Sequence, residues 1–429
     1  MSPTLQTPIT VRRLVPMAFV IGLGAGVGAW LLKWLCSQLG HIAHIGAKAD
    51  GLNWQFLVWP LVGVVLTSLA AKYLFRQNVE NACDKLRAKL RSKDFSMSPN
   101  VIWETIGGCA MTVGLGASAG TESPIAYAGA AMGGTVGRLC SVDGKLMKIL
   151  VACGAGAGIA AIFRAPMGGF FFTLEILQME LTTVPILALG LSCLTASLTT
   201  YVLAGRAPDI VYLSPVSPDT SAYLPLVIIA IIIGAYSLWY TWTSKRTVSR
   251  LNKFSPWVKT LSSGLILGLA VLLMPALYGD GYSLMTGLLA ANPAGLLSQG
   301  IFGADITSLT LIITAVGMLA VKGMLVALAN NGGGVAGDFS PTLFVGCILG
   351  WLAAYVCNTW LGLSLPLGTF ACIGMAAAMA AILQAPLMSI FITVEATQAY
   401  SLLLPVTLAA MIGYLTPRTI KFISVKVSA

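Results

Sequence analysis

The chain has 429 residues, of which 57% are hydrophobic and only 9% are Asp, Glu, Lys or Arg, roughly a third of the charge a soluble domain carries. Charged residues this few do not coat a soluble particle of this size, and the apolar residues exceed what one water-excluded core buries. A water-soluble globular protein is therefore excluded. The net charge of +10 does not point to nucleic acid, because the basic residues cluster in short loops between apolar runs, as the positive-inside rule describes.

Charge-free runs at 14 to 32, 181 to 205, 220 to 244, 260 to 279, 306 to 321 and 396 to 417 each approach or exceed a bilayer span, and 339 to 394 passes 56 residues without a charge. The first run is too long for a secretion-signal core and lacks a small-residue cleavage site, so Arg12 and Arg13 are read as anchors of a retained first helix. Lys72, Arg76, Lys85, Arg87, Lys89, Arg91 and Lys93 mark one cytoplasmic loop. Lys245, Arg246, Arg250 and Lys253 mark a second, and Arg418, Lys421 and Lys426 the tail. Asp280 and Asp305, with no basic residue between them, mark an outside loop. The pattern predicts an all-α polytopic membrane protein: one membrane domain over 1–429, no soluble regulatory domain, and both termini cytoplasmic.

Nine cysteines without a CxxC pair read as small packing residues. His41 and His44 share a helical spacing but have no nearby carboxylates, so they read as interfacial polar groups rather than a metal site. No metal or other cofactor is expected.

An internal repeat organises the chain. Gly154 to Glu175 matches Gly374 to Glu395 without a gap, with ten of 22 positions identical, among them Ala165, Pro166, Phe171, Thr173 and Glu175. Upstream, Gly120-Thr121-Glu122-Ser123-Pro124 with Gly129 and Gly133 pairs with Gly337-Asp338-Phe339-Ser340-Pro341 with Gly346 and Gly350. A weaker echo joins Gly28-Ala29-Trp30 to Gly234-Ala235-Tyr236. Two halves result, 14 to 205 and 220 to 420. The first starts at the basic end and the second after an outside segment, so they are inverted relative to each other. Inverted repeats with Gly- and Pro-interrupted segments point to a transporter with its site at the midplane.

In each GxxSP element glycine permits a turn, serine is expected to cap, and proline fits the first turn of a new helix. Both halves thus present a helix N-terminus inside the membrane, where broken backbone survives only if buried in protein or facing water. Two such N-termini converging by symmetry form an anion site. Gly129, Gly133, Gly346 and Gly350 read instead as close helix packing. Glu122 lies between charge-free runs, ahead of its proline, and is read as a gate and proton carrier: ionised it competes with an anion for the N–H groups, protonated it leaves them. Asp338, its neighbour in the second half, is expected to cap the following helix. Arg164 is expected to be a snorkelling or interhelical partner on the cytoplasmic side. Glu175 and Glu395 read as an architectural pair between halves, and Lys322 either attracts anions or packs.

With GxExP opening one half-helix, GxFxP opening the other and Ala-Pro helices behind them, the chain resembles the CLC family of chloride channels and anion/proton antiporters over nearly its whole length. Family members carry GREGP, GIFAP and a segment like FNAPLAGxLFxxE; these stand here as Gly120 to Pro124, Gly337 to Pro341 and Phe163 to Glu175. The resemblance implies a CLC-like fold with broken and re-entrant helices, and a homodimer in the cell's inner membrane with one pore per subunit. The activity it implies is exchange of chloride, or a related monovalent anion, for protons rather than enzymic catalysis. It carries the gating and proton-transfer role onto Glu122. Anion binding falls on Gly120, Thr121, Ser123, Gly337, Asp338, Phe339 and Ser340.

Four departures stand out. Thr121 and Ser123 replace the family's Arg and Gly; no GSGIP precedes the gate, and Phe75 to Val79 occupies roughly its place, making Gln77 and Asn78 further candidates. The family's inner proton-relay glutamate falls one position after Glu175, itself a further candidate, and that position is Ile176. No tyrosine stands near Lys426, leaving Tyr414 as a distant candidate. The departures admit a passive anion channel, or selectivity for fluoride or another anion. A rival of another class is an intramembrane aspartyl protease using Asp280 and Asp338, each beside glycine; it has no need of a two-fold repeat.

Overall fold

The computed structural model describes residues 8–47, 52–75, 86, 88–89, 97–142, 144–179, 183–205, 209–212, 215–297 and 307–428. The helices among them, in chain order, are α1 (Pro8–His44), α2 (Gln55–Leu69), α3 (Asn100–Gly114), α4 (Glu122–Leu139), α5 (Gly144–Phe163), α6 (Pro166–Glu175), α7 (Thr183–Ala204) and α8 (Tyr223–Leu251). There follow α9 (Pro256–Leu273), α10 (Tyr282–Leu289), α11 (Ala294–Leu297), α12 (Ser308–Asn331), α13 (Phe339–Leu361), α14 (Leu367–Leu383), α15 (Pro386–Thr397) and α16 (Leu403–Ser428). Among the described residues nine helical segments are long and apolar enough to cross a membrane. Their outward faces expose side chains such as Leu198, Val202, Leu224, Ile228 and Ile232, which only a lipid surround accommodates.

Glycine sets how closely the inner helices pack. A Cβ on Gly129 of α4 would run into the carbonyl of Gly154 on α5, and one on Gly346 of α13 into that of Gly374 on α14. Backbone-to-backbone crossings of this kind replace the hydrophobic drive that lipid removes.

Helices α5 and α14 end alike. Arg164 and Gln384, 220 positions apart, hold left-handed backbones with φ of 53° and 58°. Pro166 and Pro386 then open α6 and α15, where a missing N–H leaves nothing unpaired. The two short helices hold each other: the Glu175 carboxylate accepts from the N–H groups of Leu387 (3.0 Å) and Met388 (2.8 Å), and the Glu395 carboxylate from those of Met167 (3.2 Å) and Gly168 (2.8 Å). A carboxylate at a helix N-terminus satisfies free donors and meets the positive end of the dipole.

The basic residues gather at one end. Leu14 and Met17 at the start of α1 pack with Val136 of α4 and with Val142 and Leu146, bringing Arg12, Arg13, Arg138, Lys145 and Lys148 to a common side. Arg164 departs from its expected place there. Helix α5 has 20 residues, roughly 30 Å of rise, and carries the chain from Lys145 to the opposite side. There Arg164 is buried, with Nη2 3.7 Å from Asp209 Oδ1, and Lys33 of α1 pairs with the same carboxylate.

Candidate functional site

The two GxxSP elements meet. Gly120 N–H donates to the Gly337 carbonyl at 2.9 Å, an isolated antiparallel bridge directly ahead of α4 and α13. Neither glycine has room for a side chain: a Cβ on Gly337 would stand 2.8 Å from both the amide nitrogen and the Oγ of Ser123, and one on Gly120 would collide with the Glu122 carboxylate. The bridge brings two helix N-termini to one point, where their positive ends add.

Glu122 is the first residue of α4 and is fully buried. Its carboxylate crosses to the other half. Oε2 accepts from the Ser340 N–H at 3.3 Å, and Oε1 accepts from the Ser340 hydroxyl and from the Tyr282 hydroxyl, the latter at 2.6 Å. The side chain therefore occupies the amide-lined position at the mouth of α13.

Several sequence expectations are corrected here. Neither serine caps its own helix: Ser340 turns its hydroxyl to Glu122, whereas the Ser123 and Thr121 hydroxyls are buried with no hydrogen-bond partner among the described residues. Asp338 does not cap α13 through its side chain; the return from α12 places Asn330, eight positions earlier, beside it, and Asn330 Nδ2 donates to Asp338 Oδ1 at 2.6 Å. The Gly120 N–H is taken by Gly337 and is not free for an anion. Phe339 is buried with its ring edge-on to Phe172, centroids 5.6 Å apart. Ile176, just past α6, is buried and apolar. Tyr414 lies under the Arg418 guanidinium, 3.9 Å from the ring centroid, and that arginine also bonds Gln384. Gln77, Asn78 and Asp305 lie outside the described residues.

On the side opposite the basic cluster a cavity of about 490 Å³ leads toward Glu122, its wall including Lys33, His44, Thr121, Asp209, Asp280 and Tyr282. Asp280, outside the nine spans, accepts from the Tyr282 N–H at 3.3 Å. Burial, and then the Glu122 charge, push its carboxyl up to about 6. Behind the meeting point Lys322 is fully buried; its Nζ donates to Ser118 Oγ at 2.7 Å and stands 4.2 Å from the Phe344 ring centroid. Among the described residues no three His, Cys, Asp or Glu side chains form a metal-binding group.

Tyr282 and the partner of Lys322 were missed in the sequence. The Tyr282–Glu122 contact spans 160 positions, and its only local sign is Gly279-Asp280-Gly281, which marks a turn but not its destination.

A family model described as voltage gated chloride channel matches residues 62–418. A relative from Citrobacter koseri, named voltage-gated ClC-type chloride channel ClcB, is 27% identical over 96% of this chain and 97% of its own. A putative chloride channel protein, ClcB-like, from Ralstonia nicotianae is 29% identical over 85% of this chain and 82% of its own. Among solved structures, a slow cyanobacterial Cl−/H+ antiporter superposes with a TM-score of 0.76 at 22% identity, covering 95% of both chains. A CLC-type fluoride/proton antiporter superposes with a TM-score of 0.74 at 21% identity, covering 96% of this chain and 97% of that one. At these identities the two structures speak for the fold.

Proposed function

Because the chain belongs to the voltage-gated chloride channel family, we propose that it exchanges chloride, or a related monovalent anion, for protons across the inner membrane, with Glu122 as gate and proton carrier. The observation that carries this reading is the Glu122 carboxylate on the Ser340 N–H: a side-chain anion sits where the N-terminus of the opposite half favours negative charge. Ionised, it blocks the path with charge-assisted bonds; protonated, it loses that advantage, leaves, and the freed donors take an anion. Gly337 and Phe339 shape the turn that aims those donors. The basic side holding Arg12, Arg13 and Arg138 is the cytoplasmic one on the positive-inside rule, so both termini are assigned there. The homodimer and the repeats over 14 to 205 and 220 to 420 are part of the same proposal; the matched left-handed pair Arg164 and Gln384 supports the repeats.

A second reading, a passive anion channel, is favoured by one observation: Ile176, which carries no proton, stands buried where the family's inner glutamate falls. Paired chloride and proton flux in liposomes separates the two. Exchange predicts that chloride drives protons in the wild type and not in Glu122→Gln, whose chloride flux no longer depends on pH. Chloride flux with no proton movement in the wild type would leave the channel; cation flux at an equal rate would sink both.

A further inference from the structure

Tyr282 stands outside every motif that carries the family resemblance. Gly279 and Gly281 precede it in left-handed conformation, φ 62° and 78°, and a Cβ on Gly281 would meet the Phe344 ring. The turn is thereby pressed onto α13, and α10 starts with its first side chain directed at the gate. The phenol bridges two environments. Its residue forms part of the cavity wall, its ring lies 5.6 Å from the Lys33 ammonium, and its hydroxyl reaches Glu122 Oε1 at 2.6 Å and Ser340 Oγ at 3.0 Å.

Three oxygens thus form a triangle, and counting protons shows what it does. Each hydroxyl brings one proton, and an ionised carboxylate brings none. Both hydroxyls then donate to Glu122 Oε1, in bonds roughly twice as strong as neutral ones. Protonation of Glu122 removes the charge and, with it, the reason both donors point at one oxygen.

We propose that Tyr282 is the latch of the gate: its hydroxyl holds the ionised Glu122 side chain across the anion path and sets the proton concentration at which the path opens. The proposal rests on the assignment of Glu122 as gate. Tyr282 keeps its own proton throughout and acts as a positioning residue. The other titratable groups around Glu122 are Cys36 of α1, Cys109 of α3 and Asp280 ahead of α10; Lys33 and Lys322 couple in turn to Asp280. Among these groups Tyr282 makes the direct hydrogen bond to the carboxylate, so Tyr282→Phe removes one bond and leaves the surrounding charges in place.

The test is chloride and proton flux in liposomes from about pH 4.5 to 7.5, a window that starts near the reference value of a free carboxylate. Losing a donor to the ionised form makes protonation easier. Tyr282→Phe is therefore expected to open at about one-tenth the proton concentration, moving the midpoint up by about one pH unit. Ser340→Ala, which removes the second hydroxyl, should move it the same way. On a Glu122→Gln background Tyr282→Phe should leave flux independent of pH. Should Tyr282→Phe elute as wild type on gel filtration yet keep the wild-type midpoint, or lose flux equally at every pH, the latch is overturned. If it does not fold, an unmoved midpoint in Ser340→Ala overturns it. A response to Glu122→Gln without one to Tyr282→Phe sinks the latch alone, whereas no wild-type anion flux at any pH sinks the transport reading and the latch together.

Discussion

Glu175 and Glu395, 220 positions apart, close each other's helices: each carboxylate at the end of one short helix binds two backbone N–H groups at the start of the other. The two short helices are thereby tied by a reciprocal cap that neither makes alone.

Glutamine has one acceptor oxygen where glutamate has two, so either substitution leaves a backbone N–H facing an NH2 group. Glu175→Gln and Glu395→Gln are each expected to cost about 1–3 kcal/mol, the larger loss at Glu395, which is the more buried. Thermal unfolding in detergent checks this. Proton movement lost in Glu175→Gln at an unchanged unfolding midpoint would instead give that carboxylate a relay role.

A second expectation concerns the bridge. Gly337→Val places a Cβ 2.8 Å from the Ser123 nitrogen and must separate α4 from α13, whose shared start is the proposed anion position. Transport should fall to background while gel filtration is unchanged. Wild-type flux in this variant would place the anion elsewhere.

How far these features were legible in the sequence follows from their range. The spans showed as charge-free runs because lipid excludes charge residue by residue, and the meeting of Gly120 with Gly337 was foreshadowed by a repeat that kept both Ser-Pro pairs. Side-chain destinations were less legible. Ser340 was read as a local cap, but its hydroxyl finds a stronger acceptor in a carboxylate 218 positions away. Arg164 lies on the side opposite Lys145 because a 20-residue helix separates the two, and a lone arginine at a helix end does not announce that separation.

Asp280 gives a pH expectation. Its folded-state carboxyl is pushed up to about 6, against roughly 3.9 in an unfolded chain. The stability contributed by its neutral form is fully present below the unfolded value and is lost as pH rises through about 6. Asp280→Asn keeps an oxygen for the Tyr282 N–H and never ionises. The variant should therefore be more stable than wild type at pH 7 to 8, with the advantage gone near pH 4. Equal unfolding midpoints across that range would show that burial imposes no penalty there.

Lys322 separates stability from function most sharply. Its amine is fully buried, bonded to Ser118 and set over Phe344, and among the described residues no carboxylate forms an ion pair with it. Burying an amine that carries a charge without an ion-pair partner costs more than the roughly 1–3 kcal/mol of a neutral polar group, and its hydrogen bond returns about 1 kcal/mol. Lys322→Met, similar in length and apolar, should thus be more stable than wild type by about 2 kcal/mol or more. Ser118 stands two residues before Gly120, at most ~7 Å of chain, so a positive charge here lies close to the proposed anion position. At ~10 Å and an effective dielectric of ~20, one charge contributes roughly 1.7 kcal/mol, more than tenfold in affinity. Chloride flux measured against chloride concentration should show a half-saturating value about tenfold higher in Lys322→Met, despite the raised unfolding midpoint. Loss of stability with an unchanged half-saturating concentration would mean that the amine serves packing and the anion does not feel it.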